Sequence, residues 1–227
     1  MADTDHQRTR TPAPDAVAAA DAAGSADAPG APAPAAPEAP AAPAAPPPID
    51  PEVVARRDAA LAHVRRLGDP ILRTKARRVE RFDEDLRSEV RRMSVLMGDA
   101  LGVGLAAPQV GISHRLLVYR LEPGSAAVAL VNPEVTWCSR DEEVQEEGCL
   151  SIPLVHVDVE RSIGILVRAH DEHGEQLIIE ATGLEARVIQ HEIDHLDGIL
   201  ILDRTTREQR KAAMRTLREA EQSASAA

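Results

Sequence analysis

Gln190-His191-Glu192-Ile193-Asp194-His195 places two imidazoles four residues apart with a carboxylate beside the first. On an α-helix, positions i and i+4 stand on one face, so both rings can reach one metal ion. Glu192 then sits beside them as a candidate base, the pattern of metal-assisted hydrolysis. The flanks read as a helix. Thr182 and Glu185 have capping-box spacing, Val188, Ile189, Ile193 and Leu196 are apolar at helical spacing, and Gly198 suits a left-handed cap. The alternative is two histidines packed in a core helix.

A catalytic ion of this kind usually takes three protein ligands. Glu147-Gly148-Cys149-Leu150-Ser151 offers Cys149, at the rim of an apolar run through Leu150, Ile152, Leu154 and Val155. A free cysteine is otherwise a small buried hydrophobe. Gly102-Val103-Gly104-Leu105-Ala106-Ala107-Pro108-Gln109 lacks bulk, which suits close approach of a ligand to backbone, and Gln109 brings a carboxamide donor suited to a developing oxyanion. It lacks the Gly-Lys-Ser/Thr ending of a phosphate loop. Its other reading is a tight turn between a helix and a strand.

Together the three segments resemble the signature motifs of peptide deformylases, in the family's order and at similar spacings, over about residues 55–205. The resemblance implies removal of the formyl group from the N-terminal formyl-methionine of nascent proteins. It implies Cys149, His191 and His195 as metal ligands and Glu192 as the group that moves the proton. Gln109 and the Leu150 N–H would hold the oxyanion, and Val103, Gly104, Glu147 and Val188 would bind substrate. The implied metal is Fe(II), with Zn, Ni or Co also suited to a Cys and two His. Many relatives carry Arg or Tyr seven residues past the cysteine, where this chain has His156, so preferences beyond methionine are open. Arg161 matches a basic residue common in the family. Arg187 and Val188 fall near the methionine pocket, where Arg187 is expected to snorkel outward. Asp194 and Asp197 are candidates to orient ligand histidines, surface solvation being the alternative.

The expected fold is α+β: short antiparallel or mixed sheets around a central helix carrying the His-Glu-x-x-His motif, with N- and C-terminal helices. Helical spacing covers 52–67, 83–101 and about 206–221. Strand-like runs cover 116–121, 127–131, 151–159, 164–170 and 176–180, with Asp171-Glu172-His173-Gly174 as a hairpin turn. With one Phe, one Tyr and one Trp, the core must be aliphatic. Three regions follow: a disordered Ala/Pro-rich tail over 1–50, a catalytic domain over 51–206, and a C-terminal helix with a short disordered end over 207–227.

Of the 38 residues in 11–48, 29 are Ala or Pro, which leaves no periodicity to bury. The opening Met-Ala-Asp-Thr-Asp has neither the basic start nor the apolar block of a signal peptide, so a cytoplasmic location is expected. The net charge of −11 argues against specific or nonspecific DNA binding, and no run is long and apolar enough to span a membrane. Arg207, Lys211, Arg215 and Arg218 form one basic stripe on the last helix, a candidate contact with ribosomal RNA, or else a solvated face. Ala213, Leu217 and Ala220 form a stripe suited to packing on the domain. His63, His114, His170 and His173 are expected at the surface or in a hairpin, and Cys138 as a reduced thiol. Two other functions fit less of the pattern: a zinc endoprotease, whose third ligand is normally His or Glu, and a silent paralogue binding formylated N-termini or the ribosome without turnover.

Overall fold

Acidic side chains begin two of the helices in the computed structural model, which describes residues 50–225. Asp50 accepts from Glu52 N–H at the start of α1 (Pro51–Leu61), and Asp83 accepts from Leu86 N–H at the start of α2 (Glu84–Asp99). In α2 the stripe Leu86, Val90, Met93 and Met97 is buried. It packs on β1 (Gly104–Ala106), β2 (Leu116–Tyr119) and the near end of β3 (Val128–Cys138).

These strands continue into an antiparallel five-stranded sheet, ordered β1-β2-β3-β6-β7, with β6 (Gly164–His170) and β7 (Gln176–Thr182). The expected turn at 171–174 joins β6 to β7: Asp171 O accepts from Gly174 N–H, and the Asp171 side chain accepts from His173 and Glu175 N–H. A separate hairpin pairs β4 (Glu142–Cys149) with β5 (Ile152–Ser162). Between them runs α3 (Gly183–Leu196), whose Ala186, Ile189, Ile193 and Leu196 close the core on the five-stranded sheet. The inward residues of β5, Val155, Val157 and Val159, meet Leu200, α4 (Ile201–Arg204) and Ala213 of α5 (Arg207–Ser225). Leu217 packs on the same cluster, as its place in the apolar stripe requires.

Some expectations need correction. The first helix stops at Leu61 because the following backbone is used elsewhere: Arg65 N–H donates to Gln109 O at 2.7 Å and Leu67 N–H to Ser151 O at 2.9 Å. Asn132-Pro133 does not end β3. A register shift absorbs the pair, with Asn132 left-handed at φ 54° and its side chain bonded to Val79 N–H and C=O. β1 and β4 were not expected. β1 has three residues, and β4 is largely exposed and rich in Glu, so neither shows strand periodicity. Thr182 precedes α3 but makes no capping bond. Glu185 instead accepts from Tyr119 O–H at 2.7 Å. Gly198 does turn left-handed, at φ 74°, and a Cβ there would stand 2.8 Å from the Arg73 carbonyl. The tail expected over 1–50 lies outside the described residues, apart from Asp50. Among the described residues no helix is long and apolar enough to cross a membrane.

Candidate metal centre

The two-histidine face of α3 points at the end of β4. Helical spacing sets the rings 5.0 Å apart, and Cys149, the last residue of β4, brings its sulfur to 3.3 Å from His195 Nε2. Ligand atoms of Cys149, His191 and His195 all lie within 4.8 Å of one another. Burial disfavours the Cys149 thiolate, but electrostatic attraction to His195 and the hydrogen bonds of His191 and His195 outweigh it and hold the thiol well below its usual range. One thiolate and two imidazoles converging in a buried pocket fit a divalent first-row metal.

Glu147 sets the orientation of His191. Its Oε2 lies 2.9 Å from His191 Nδ1, which leaves Nε2 for the centre. Burial would raise this carboxyl, but hydrogen bonds from His191 and Arg161 hold it well below the usual carboxylate range. Arg161 binds it with two bonds of 2.9 Å, and Arg187 adds a third of 2.7 Å. Glu147, expected to bind substrate, lines the cleft over this centre but is buried, with its oxygens bonded to His191, Arg161 and Arg187.

Arg187 does not snorkel outward. One helical turn before His191, it faces the same hairpin and also donates to the carbonyls of Val159 and Glu143. The carboxylates of Asp194 and Asp197 do not hydrogen-bond to a ligand imidazole. Asp194 accepts from Arg161 and Arg204, each at 2.6 Å, and Asp197 from Arg115 at 2.8 Å. Both are drawn to guanidinium groups.

Glu192 is 4% exposed, and its Oε2 has no partner. Burial raises its carboxyl above the usual range against the pull of both histidines. Gly104 makes room for it: a Cβ there would overlap Glu192 Oε1 and stand 2.9 Å from Cγ and Cδ. Gln109 is held by Ala106 N–H, which donates to its Oε1 at 2.8 Å. Its Nε2 therefore faces Cys149 Sγ at 3.8 Å and Ser151 Oγ at 3.3 Å.

A cleft of about 420 Å³ runs over this constellation. Val103, Gly104, Gln109, Glu147, Cys149, Leu150, Val188, His191 and Glu192 line it, while His195, 1% exposed, lies behind. Of the residues expected as metal ligands, catalytic groups or substrate contacts, the cleft thus gathers all but His195. It also holds residues that the sequence did not single out. Arg66 donates to Leu150 O at 3.2 Å, and Leu101 and Leu154 stand exposed at its rim. Arg66 comes from the loop after α1, whereas Leu101 and Leu154 flank the glycine-rich and cysteine segments.

The sequence profile described as polypeptide deformylase matches residues 61–211. The chain belongs to this family. A peptide deformylase of Acidothermus cellulolyticus is 44% identical over 162 residues, 71% of this chain and 88% of that protein. One of Thermotoga neapolitana is 49% identical over 141 residues, 62% of this chain and 85% of that protein. Among solved structures, the Legionella pneumophila peptide deformylase superposes with a TM-score of 0.68 at 39% identity, covering 71% of this chain and 96% of that one. The Synechococcus elongatus peptide deformylase, solved with actinonin, gives 0.65 at 42% identity, covering 67% and 85%. For a deformylase chain, the antiparallel α+β architecture around α3 is the expected one.

Proposed function

We propose that this protein hydrolyses the formamide of N-terminal formyl-methionine on nascent polypeptides. The observation that carries the reading is the convergence of Cys149, His191 and His195 with Glu192 and Gln109 in one cleft of a deformylase-family chain. Cys149, His191 and His195 would hold one divalent ion, Fe(II) first, with Zn(II), Ni(II) or Co(II) also suited to the donor set. When bound, the ion supplies Lewis-acid polarisation and eases ionisation of water near neutral pH.

The chain's own groups do the rest. Glu192 takes a proton from the attacking water as oxygen adds to the formyl carbon. Gln109 Nε2 and the Leu150 N–H donate to the resulting oxyanion. The carbon–nitrogen bond then breaks, Glu192 returns its proton to the departing amine, and formate and a free methionyl N-terminus remain. Burial shifts the Glu192 carboxyl upward, the direction that eases its return of a proton to the departing amine. Glu147 holds His191 in place, and Val103, Gly104 and Val188 border the methionine.

The test is product analysis with formyl-Met-Ala-Ser and anaerobically purified protein. The reading expects formate and intact Met-Ala-Ser. Cleavage of internal peptide bonds would point to an endoprotease, and binding without turnover to a silent paralogue.

The exposed stripe Arg207, Lys211, Arg215 and Arg218 supports a further proposal, a salt-sensitive contact with ribosomal RNA. Ala213 is buried, so replacing these four cations by Gln tests it better than truncation does. Co-sedimentation with ribosomes should weaken with salt and with the replacements. Equal binding by both proteins would refute the contact.

A further inference from the structure

In the proposed reaction the oxyanion takes two donors, Gln109 Nε2 and the Leu150 N–H, which come from separate parts of the chain. Gln109 belongs to a short helical turn, Ala107–Val110. Leu150 and Ser151 turn the chain between β4 and β5, outside the ladder of that hairpin. Donors that serve one oxygen must keep their mutual geometry, because stabilisation of a developing charge depends on groups fixed in advance. One link between the two loops is direct: Gln109 Nε2 donates to Ser151 Oγ at 3.3 Å.

Three consecutive residues after α1 supply the other links. Arg65 N–H donates to Gln109 O at 2.7 Å, and Leu67 N–H donates to Ser151 O at 2.9 Å. Between them, Arg66 Nη1 donates to Leu150 O at 3.2 Å. The strap is anchored on both sides. Gly111, left-handed at φ 82°, leaves room for the Arg65 side chain, since a Cβ there would stand 2.9 Å from Arg65 Nε. Leu67 packs in the same apolar cluster as Cys149. Residues 65–67 therefore hold both donor-bearing loops at once.

Only one of these three bonds depends on residue type. Any residue but proline offers the N–H that Arg65 and Leu67 use. The bond to Leu150 O needs a long side chain with a donor at its end, and Arg66 supplies it. Holding that carbonyl restricts rotation of the chain at Leu150, and so restricts the direction of the N–H on the same residue.

We propose that Arg66 is a positioning residue, which holds the Leu150 carbonyl so that the Leu150 N–H meets the oxyanion together with Gln109. This role rests on the deformylase reading and adds to it a residue that acts through the Leu150 peptide.

The experiment compares metal-loaded parent, Arg66→Ala and Arg66→Lys on formyl-Met-Ala-Ser and on its C-terminal amide, with kcat and KM read separately. Arg66 is exposed, so the loss should be that of one modest hydrogen bond. In Arg66→Ala, kcat should fall about three- to tenfold on both peptides, with KM unchanged. Arg66→Lys keeps the charge and a donor and should recover part of the loss. Amide NMR spectra of the zinc-loaded proteins give a second readout, because the Ser151 amide shares its plane with Leu150 O. That signal should move in Arg66→Ala and return toward the parental position in Arg66→Lys. An unchanged kcat in Arg66→Ala beside an active parent would overturn the proposal, whether or not the melting temperature falls. So would an unmoved Ser151 signal. A rise in KM confined to the peptide with a free carboxylate would also overturn it, by assigning Arg66 to direct substrate binding. No formate from the metal-loaded parent would strike the deformylase reading, and this proposal with it.

Discussion

Glu147 Oε2 lies 2.9 Å from His191 Nδ1, and this contact determines which nitrogen of the ring faces Cys149. The carboxylate comes from β4 and the imidazole from α3, so the bond also ties the hairpin to the helix. Two guanidiniums, those of Arg161 and Arg187, secure the carboxylate from behind.

Replacing Glu147 by Gln keeps the shape and removes the charge. Metal affinity should fall about tenfold to a hundredfold, read by competition with a chromophoric chelator. An unchanged affinity would mean that Cys149 and the helix orient His191 unaided.

The same variant makes a pH prediction. His191 and Arg161 hold the Glu147 carboxyl below its unfolded value of 4.5 despite burial. A depressed folded value stabilises above the unfolded one, and the contribution is lost as pH falls through the folded value. The gap in urea midpoint between parent and Glu147→Gln, both metal-free, should be widest near neutral pH and narrow below about 4.5. A gap independent of pH would contradict this sign.

Arg161→Met leaves Glu147 and Asp194 each short of a buried cation. Removing one partner from a buried pair costs about 3–5 kcal/mol. Urea unfolding should show a loss of that order, whereas a loss below about 1 kcal/mol would place the network's weight on Arg187 and Arg204.

Gly104→Ala puts a methyl group where Glu192 Oε1 stands. A displacement of about 1 Å at the reacting group costs on the order of a hundredfold in turnover. Formate release should drop by at least that factor while metal content stays at the parent level. A near-parental rate would mean that Glu192 acts from another position.

A thiolate beside ferrous iron is open to oxidation. Iron-loaded protein should lose activity in air faster than nickel-loaded protein, monitored by timed assays. Equal decay would remove iron from the reading.

Much of the site was legible because its groups sit in short local motifs. Helical spacing alone put His191 and His195 on one face, and α2 followed from Leu86, Val90, Met93 and Met97. What escaped depended on partners far along the chain. Arg187 looked like a surface cation because its carboxylate is 40 residues away, and Asp194 looked like a histidine partner because Arg161 is 33 away. β4 carries glutamates in place of alternation, since its first five residues are all exposed and only Glu147 of the strand is buried. Leu101 and Leu154 adopt left-handed backbone, at φ 58° and 65°, which leucine as a residue type does not foretell.

The decisive role proposed for Glu192 is to move the proton in a deformylation at the Cys149, His191 and His195 centre. Its most direct test measures formate release and metal content together, for the parent and for Glu192→Gln, on formyl-Met-Ala-Ser. About one metal per chain is expected in both proteins, with turnover by the parent and loss of turnover in the variant. A metal-loaded parent that releases no formate, or a variant that matches the parent's rate, would contradict it.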